Sequence, residues 1–119
     1  MQKVHTISFH HAFSGLLYAI RTQPNFMVHL ILSSLAVSAG ILLRISSVEW
    51  LILVWTITTG LVIEIVNTAI EATVDLMTEE YHIMAKIAKD TASAAMLVYS
   101  FGALLVAALI FVPKIWLFS

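Results

Sequence analysis

The 119-residue sequence contains no cysteine and few charged residues. Without cysteine, disulfides and zinc–thiolate centres are excluded. Charged residues make up 11% of the chain and hydrophobic residues 61%, whereas a soluble domain is about one quarter charged and about one half apolar. The formal net charge of -1 gives no basic field that would attract nucleic acid. The composition therefore predicts a single small membrane domain that covers residues 1–119.

Signatures of export and of soluble nucleotide-binding proteins are also absent. The N-terminal segment MQKVHTISFHHAF has no apolar run closed by a small-residue cleavage site, so we do not interpret it as a signal peptide. The sequence lacks the GxxxxGK[ST] phosphate loop and the HRD and DFG motifs of protein kinases. The common soluble nucleotide-binding folds are therefore excluded.

Three apolar stretches are long enough to cross a bilayer, which takes about 20 residues as an α-helix. They cover residues 25–43, 48–77 and 91–112. A polar hinge, TEEYHIMAKIAKD, separates the second stretch from the third. The pattern predicts an all-α fold with three transmembrane helices.

Residues 3–22 show a different pattern, with apolar side chains at helical spacing and polar ones on another face. The apolar positions are Phe9, Phe13, Leu16, Leu17 and Ile20. This pattern is typical of an amphipathic helix in the membrane surface. An N-terminal helix packed on the bundle would show the same pattern, so both interpretations stay open.

Lysine and arginine residues favour one orientation. With three spans, the N-terminus and the hinge share one side of the membrane, and the first loop and the C-terminus share the other. The first side carries Lys3, Arg21, Lys86 and Lys89, and the second carries Arg44 and Lys114. The excess of positive charge predicts that the N-terminus and the hinge are cytoplasmic.

The second span contains a polar stripe, formed by Glu64, Asn67, Glu71 and Asp75. At about 100° per residue, these side chains fall within an arc of about 80° on one helix face. Helix geometry puts Glu71 near the inner water boundary and Glu64 about 10 Å deeper. Interhelical hydrogen bonds are the structural explanation of such a stripe. Since intramembrane carboxylates are costly, four polar residues in register favour a functional site.

The residue types in and beside the stripe suit phosphoryl transfer. Closely placed carboxylates either share protons or hold a cation, and Mg²⁺ commonly bridges carboxylates to nucleotide phosphates. Lys86, Lys89 and Asp90 follow on the same side of the membrane. A lysine there can neutralise phosphate charge, which is central to phosphoryl transfer.

Two motifs, ExxNTAIExxxD at residues 64–75 and EYHxxAKxAKD at residues 80–90, resemble those of the prokaryotic diacylglycerol kinase family. That family includes the undecaprenol kinases of Gram-positive bacteria, and the similarity extends through FHHAFSGLLYAIRTQPNFMVHL. The resemblance implies a homotrimer in the bacterial inner membrane. It also implies Mg²⁺-dependent transfer of the γ-phosphate of ATP to a lipid alcohol, either undecaprenol or diacylglycerol.

The resemblance also implies roles for individual residues. Glu64 is the expected general base, Glu71 a metal ligand, and Asn67 and Asp75 supporting residues. The positions implied to bind ATP are His11, Glu80, Tyr81, His82, Lys89 and Asp90. The positions implied to contact lipid are Ser93 and the segment that includes Asn25 and His29. His10 and His11 point about 100° apart on a helix, so we do not expect them to share a metal ion.

The sequence departs from the family pattern at two positions. Gln23 stands where the family often has a glutamate that serves as a second metal ligand, and its amide can offer only an uncharged oxygen. Val4, with Lys3 beside it, stands where some members have a basic residue that contacts ATP. A catalytically inactive family member is therefore one alternative. A small proton- or ion-conducting oligomer that uses Glu64 as a carrier is another.

We also expect a neighbouring subunit to complete the site, because three helices would leave the stripe exposed to lipid on one side. The acceptor stays open between the two lipids, although NFMVH and NTAIEATVDL look more like the undecaprenol kinase branch.

Overall fold

The computed structural model describes residues 9–118 and contains four helices in this range. They are α1 (Phe9–Thr22), α2 (Pro24–Leu42), α3 (Ser47–Met77) and α4 (Ile83–Phe118). The last three are long and apolar enough to cross a membrane. The predicted all-α fold with three candidate spans is thus confirmed. The predictions for Lys3, Val4 and the rest of residues 3–8 lie outside the described residues.

Local sequence explains where α2 ends and α3 begins. Arg44 has a positive φ of 53°. The Arg44 N–H donates to the Ile41 carbonyl, and the Ile45 N–H donates to the Gly40 carbonyl, which forms a Schellman motif. Ser46 then caps α3: its hydroxyl accepts from the backbone N–H of Glu49, whose carboxylate accepts from the Ser46 N–H. These bonds satisfy the polar groups at both helix ends and keep the connection short.

The third span differs from its predicted bounds at both ends. α4 begins at Ile83 rather than at residue 91, so only residues 78–82 form the hinge. Hydropathy detects only the apolar part of a helix, whereas the exposed ion pair of Lys86 and Asp90, one turn apart, supports a polar first part of α4. The helix also continues past Pro113, where Lys114 forms an ion pair with Glu49 at 3.3 Å.

The helices pack as an antiparallel bundle in which α3 makes its most extensive contacts with α4. Ile45, Leu53 and Ile110 form a buried apolar cluster near the loop between α2 and α3. Further along, α4 approaches α3 closely because Gly60 has no side chain. The Tyr99 ring occupies the space beside Gly60, and the Tyr99 hydroxyl donates to the Thr56 carbonyl at 2.5 Å.

Replacing Gly60 with alanine should destabilise the bundle. A Cβ at this position would lie 2.5 Å from the Tyr99 ring, so the ring would have to move and lose its bond to Thr56. We expect a net loss of about 1–3 kcal/mol, measured by reversible unfolding in mixed micelles. Gly102→Ala is the matched control, since nothing lies within 4 Å of its Cβ. It should stabilise the protein by about 0.5–1 kcal/mol, and equal effects of the two substitutions would refute the packing argument.

The first helix, α1, packs against α2 and α3. Ala19 is buried at this contact, while Phe9, Phe13 and Leu17 are exposed on another face. Packing on the bundle is therefore observed, and the exposed apolar face remains free for lipid. The predicted location of α1 in the membrane surface stays a prediction.

Candidate active site

The polar stripe of α3 changes gradually from buried to exposed. Glu64 is 0% exposed and Asn67 is 6% exposed, whereas Glu71 is half-buried. The Asp75 side chain, one turn further along, is 61% exposed. The stripe therefore leads from the inside of the bundle to an exposed end beside the hinge, and its depth relative to the membrane stays a prediction.

One expectation about the stripe is wrong. We expected a single subunit to leave it exposed to lipid, but Glu64 and Asn67 are buried within one chain. Both oxygens of Glu64 and the Oδ1 oxygen of Asn67 are buried without a hydrogen-bond partner. The expectation considered only the three spans, whereas α1 also packs on α2 and α3, so four helices form the bundle.

Beyond the buried part, an ion pair joins α3 to α4. The Lys89 Nζ donates to the Asp75 Oδ1 at 2.6 Å, and neither side chain is fully covered. Lys86 pairs with Asp90 on the same surface of α4. Lys86, Lys89 and Asp90 thus lie on α4, and Asp75 on α3 is the partner of Lys89. Such pairs add little to stability in water, but they hold the two lysine amines at the exposed end of the helix pair.

These ion pairs lie beside an open pocket of ≈ 390 Å³ between the end of α3, the hinge and the start of α4. All the hinge and α4 residues that we predicted to bind ATP line this pocket, as does the supporting residue Asp75. They are Glu80, Tyr81, His82, Lys89 and Asp90. The end of α3, the hinge and the start of α4 therefore bring the predicted nucleotide residues together.

Side-chain hydrogen bonds give the hinge its shape. The Thr78 hydroxyl donates to the Glu80 carbonyl and accepts from the Glu80 N–H, both at 3.2 Å. The His82 Nδ1 accepts from the Met84 N–H at 3.1 Å and so caps the start of α4. Because Nδ1 is the acceptor, Nε2 carries the proton and can donate to an anion in the pocket. The role of Thr78 was missed in the sequence, although a threonine directly after a helix is a common turn signal.

Other predicted residues lie elsewhere in the single chain. His11 is exposed on α1 and does not line the pocket. Asn25 and Ser93 are exposed on α2 and α4. His29 is half-buried, and its Nε2 lies 3.1 Å from the Met96 sulfur. Sequence reasoning did not find the contact with Met96, because residues so far apart in the chain share no local pattern.

The residues predicted to hold a metal ion offer one carboxylate and one amide oxygen. Among residues 9–118, no group of three histidine, aspartate or glutamate side chains converges to hold a metal ion. Glu71 offers a half-buried carboxylate, held by the Asn67 amide at 3.4 Å, and Gln23 precedes α2 with no cap bond from its side chain. One carboxylate with an amide oxygen suits Mg²⁺, which keeps several waters and takes phosphate oxygens as ligands.

Comparison with known proteins identifies similar chains. Residues 10–111 match the family model of prokaryotic diacylglycerol kinase. The chain is 39% identical to an undecaprenol kinase of Bacillus subtilis over 91% of this chain and 88% of the relative. It is 34% identical to a diacylglycerol kinase of Synechocystis over 92% of this chain and 63% of the relative. A diacylglycerol kinase of Pseudomonas aeruginosa is also 34% identical, over 74% of this chain and 72% of the relative.

Proposed function

The chain belongs to the prokaryotic diacylglycerol kinase family, and we propose that it transfers the γ-phosphate of ATP to the hydroxyl of a membrane lipid alcohol. Membership in this family makes it a multi-pass membrane lipid kinase. One observation supports the transfer of phosphate from ATP to a lipid. The polar stripe of α3 runs from buried Glu64 to exposed Asp75, and the pocket lined by Asp75 and Lys89 lies at that exposed end.

In this proposal, the pocket between α3 and α4 binds the nucleotide. Lys89 and Lys86 exchange their aspartate partners for phosphate oxygens, and His82 donates from Nε2. Tyr81 is 80% exposed beside the same pocket and can cover the nucleotide base. Positioning and charge neutralisation are what phosphoryl transfer chiefly needs from a protein.

Glu71 is the proposed metal ligand, with Gln23 as the second protein oxygen. A bound Mg²⁺ would neutralise phosphate charge as the γ-phosphoryl group transfers. Asn67 holds the Glu71 carboxylate in place through its amide. The uncharged Gln23 leaves the site with one negative charge fewer than a pair of carboxylates would supply.

Glu64 is the proposed general base. Its carboxylate takes the proton of the lipid hydroxyl, the hydroxyl oxygen forms the new bond to the γ-phosphorus, and ADP leaves with the electrons of the broken bond. Helix geometry puts Glu64 about 10 Å from Glu71, towards the hydrocarbon. The burial of Glu64 keeps water, the competing acceptor, away from the reacting oxygen.

The site must lie in the cytoplasm to meet ATP, which agrees with the charge bias of Arg21, Lys86 and Lys89. We further propose that the protein acts as a homotrimer in the bacterial inner membrane. His11 does not line the pocket of its own chain. In a trimer, α1 of a neighbouring subunit could bring its His11 to this pocket. The predicted role of Ser93 and Asn25 in lipid contact fits their exposure near the inner end of α4 and α2.

The test of this function is transfer of radiolabelled γ-phosphate from ATP to lipid by the purified full chain in mixed micelles with Mg²⁺. Undecaprenol and a diacylglycerol are assayed side by side, and we expect label on at least one. Glu71→Gln should raise the Mg²⁺ concentration required for half-maximal rate, because a charged ligand is lost. Failure of the folded wild-type chain to label either lipid would refute the proposal.

A further inference from the structure

Glu64 lacks a partner that its burial requires. Its carboxylate is 0% exposed, and neither oxygen accepts a hydrogen bond. Desolvated carboxylates are costly unless hydrogen-bonded, so a donor must serve Glu64 in the working state. The donor has to lie at the depth of Glu64 within the bundle.

Three helices present side chains at this depth. At about 1.5 Å per residue, Glu64 lies about 20 Å from the end of α3, and Met96 lies about 20 Å from the start of α4. His29 contacts Met96 through Nε2 and therefore belongs to the same layer. The His29 ring also lies 6.0 Å from the Tyr99 ring, which packs against Gly60, about one helical turn before Glu64 on α3. The imidazole and the carboxylate therefore lie in the same layer of the bundle.

The Asn67 amide has two N–H groups and can offer the second one to Glu64 from the same helix, whereas the other donors in this layer have acceptors of different strength. The Asn67 amide donates to the Glu71 carboxylate at 3.4 Å, and the Thr68 hydroxyl donates to the Glu64 backbone carbonyl at 2.8 Å. The His29 Nε2–H faces the Met96 sulfur at 3.1 Å. A thioether is a weak acceptor compared with a carboxylate or a carbonyl. His29 therefore loses least by exchanging its partner.

We propose that His29 is a positioning residue for Glu64, whose carboxylate accepts the His29 N–H in place of the Met96 sulfur when the acceptor lipid enters. The inference rests on the proposed role of Glu64 as the general base. One Glu64 oxygen is then held by His29, and the other is left to face the lipid hydroxyl. His29 acts through Glu64 and does not bind the lipid itself.

Kinetics of His29→Leu and His29→Gln test this role in the full chain. Leucine suits the apolar span, so the variant folds, but it has no donor. We expect kcat to fall about 10- to 100-fold with the KM for lipid unchanged, because the base is no longer held in reactive geometry. Glutamine retains an N–H donor and should recover part of the rate. His10→Leu, at an exposed position on α1, is the matched control and should leave kcat unchanged.

A double-mutant cycle tests whether the effect passes through Glu64. In a Glu64→Gln background, His29→Leu should cause no further loss of the residual rate. Multiplied losses would overturn the inference, as would an increased KM for lipid with unchanged kcat, since that result would place His29 in lipid contact. The wild-type chain is assayed first. If it has no lipid kinase activity, that result refutes the proposed function rather than the role of His29.

Nuclear magnetic resonance of ¹⁵N-histidine-labelled protein gives a readout independent of turnover. The resonances of the His29 ring, assigned by their loss in His29→Leu, should shift when a diacylglycerol or undecaprenol is added to wild-type protein. In Glu64→Leu, which removes the acceptor oxygens, the same addition should leave them nearly unchanged. Equal shifts in both proteins would show that the His29 N–H does not move to the carboxylate, and would overturn the inference.

Discussion

Replacing Glu64 with glutamine is expected to lower kcat for lipid phosphorylation by about 100- to 10,000-fold while the protein folds normally. The amide has nearly the shape of the carboxylate but cannot take a proton from the hydroxyl. Stability should be unchanged or higher, because Glu64 is buried with two oxygens that accept no hydrogen bond. A neutral amide is cheaper to bury than such a carboxylate.

The two effects are measured on the same preparation, by labelled phosphate transfer and by unfolding in mixed micelles. Glu49→Gln is the matched control, since Glu49 lies at the opposite end of α3 beside Lys114. Its kcat per folded molecule should equal that of the wild type. If Glu64→Gln retained more than about one tenth of the wild-type kcat, Glu64 would not be the general base.

The second large effect is expected at Lys89. Replacing it with methionine should lower kcat/KM for ATP by about 100- to 1000-fold, the cost of removing one charged donor aimed at a transferring group. Lys89→Arg should keep part of the rate, because it preserves the charge but changes the donor geometry. Global stability should change little, since the Lys89–Asp75 pair is exposed to solvent.

Lys114→Met is the control for this substitution. It also removes a lysine that pairs with a carboxylate, but at the opposite end of the bundle. Steady-state rates at several ATP concentrations, together with direct binding of ATP·Mg²⁺, separate a loss of affinity from a loss of turnover. Equal losses for the two lysine variants would point to a general effect of charge removal and would contradict a phosphate-binding role for Lys89.

Much of the fold was predictable because the relevant signals are local. Apolar stretches long enough to cross a bilayer predicted the three candidate spans, and the helical period put Glu64, Asn67, Glu71 and Asp75 on one face. The boundaries of α4 were less predictable, since Lys86 and Asp90 extend a helix beyond the apolar segment that hydropathy detects. The hinge was correspondingly shorter than expected.

The candidate site was predictable in composition and less so in geometry. The two motifs contained every predicted residue that lines the nucleotide pocket. Lys86, which the sequence analysis had placed beside Lys89 without a specific role, also lines the pocket, and the structure brings the Lys89 amine to the Asp75 carboxylate. It did not bring His11 to the pocket within one chain, because α1 packs with that side chain exposed.

The sequence alone predicted a membrane protein, its long apolar helices and the polar face of α3, because hydropathy and periodicity depend only on neighbours along one helix. Tertiary structure decided that Glu64 is fully buried without a partner, that His29 meets Met96, and that Asp75 meets Lys89. The physical reason is that burial and pairing depend on which side chains of separate helices share a depth and face each other, and that choice is made only when the helices pack.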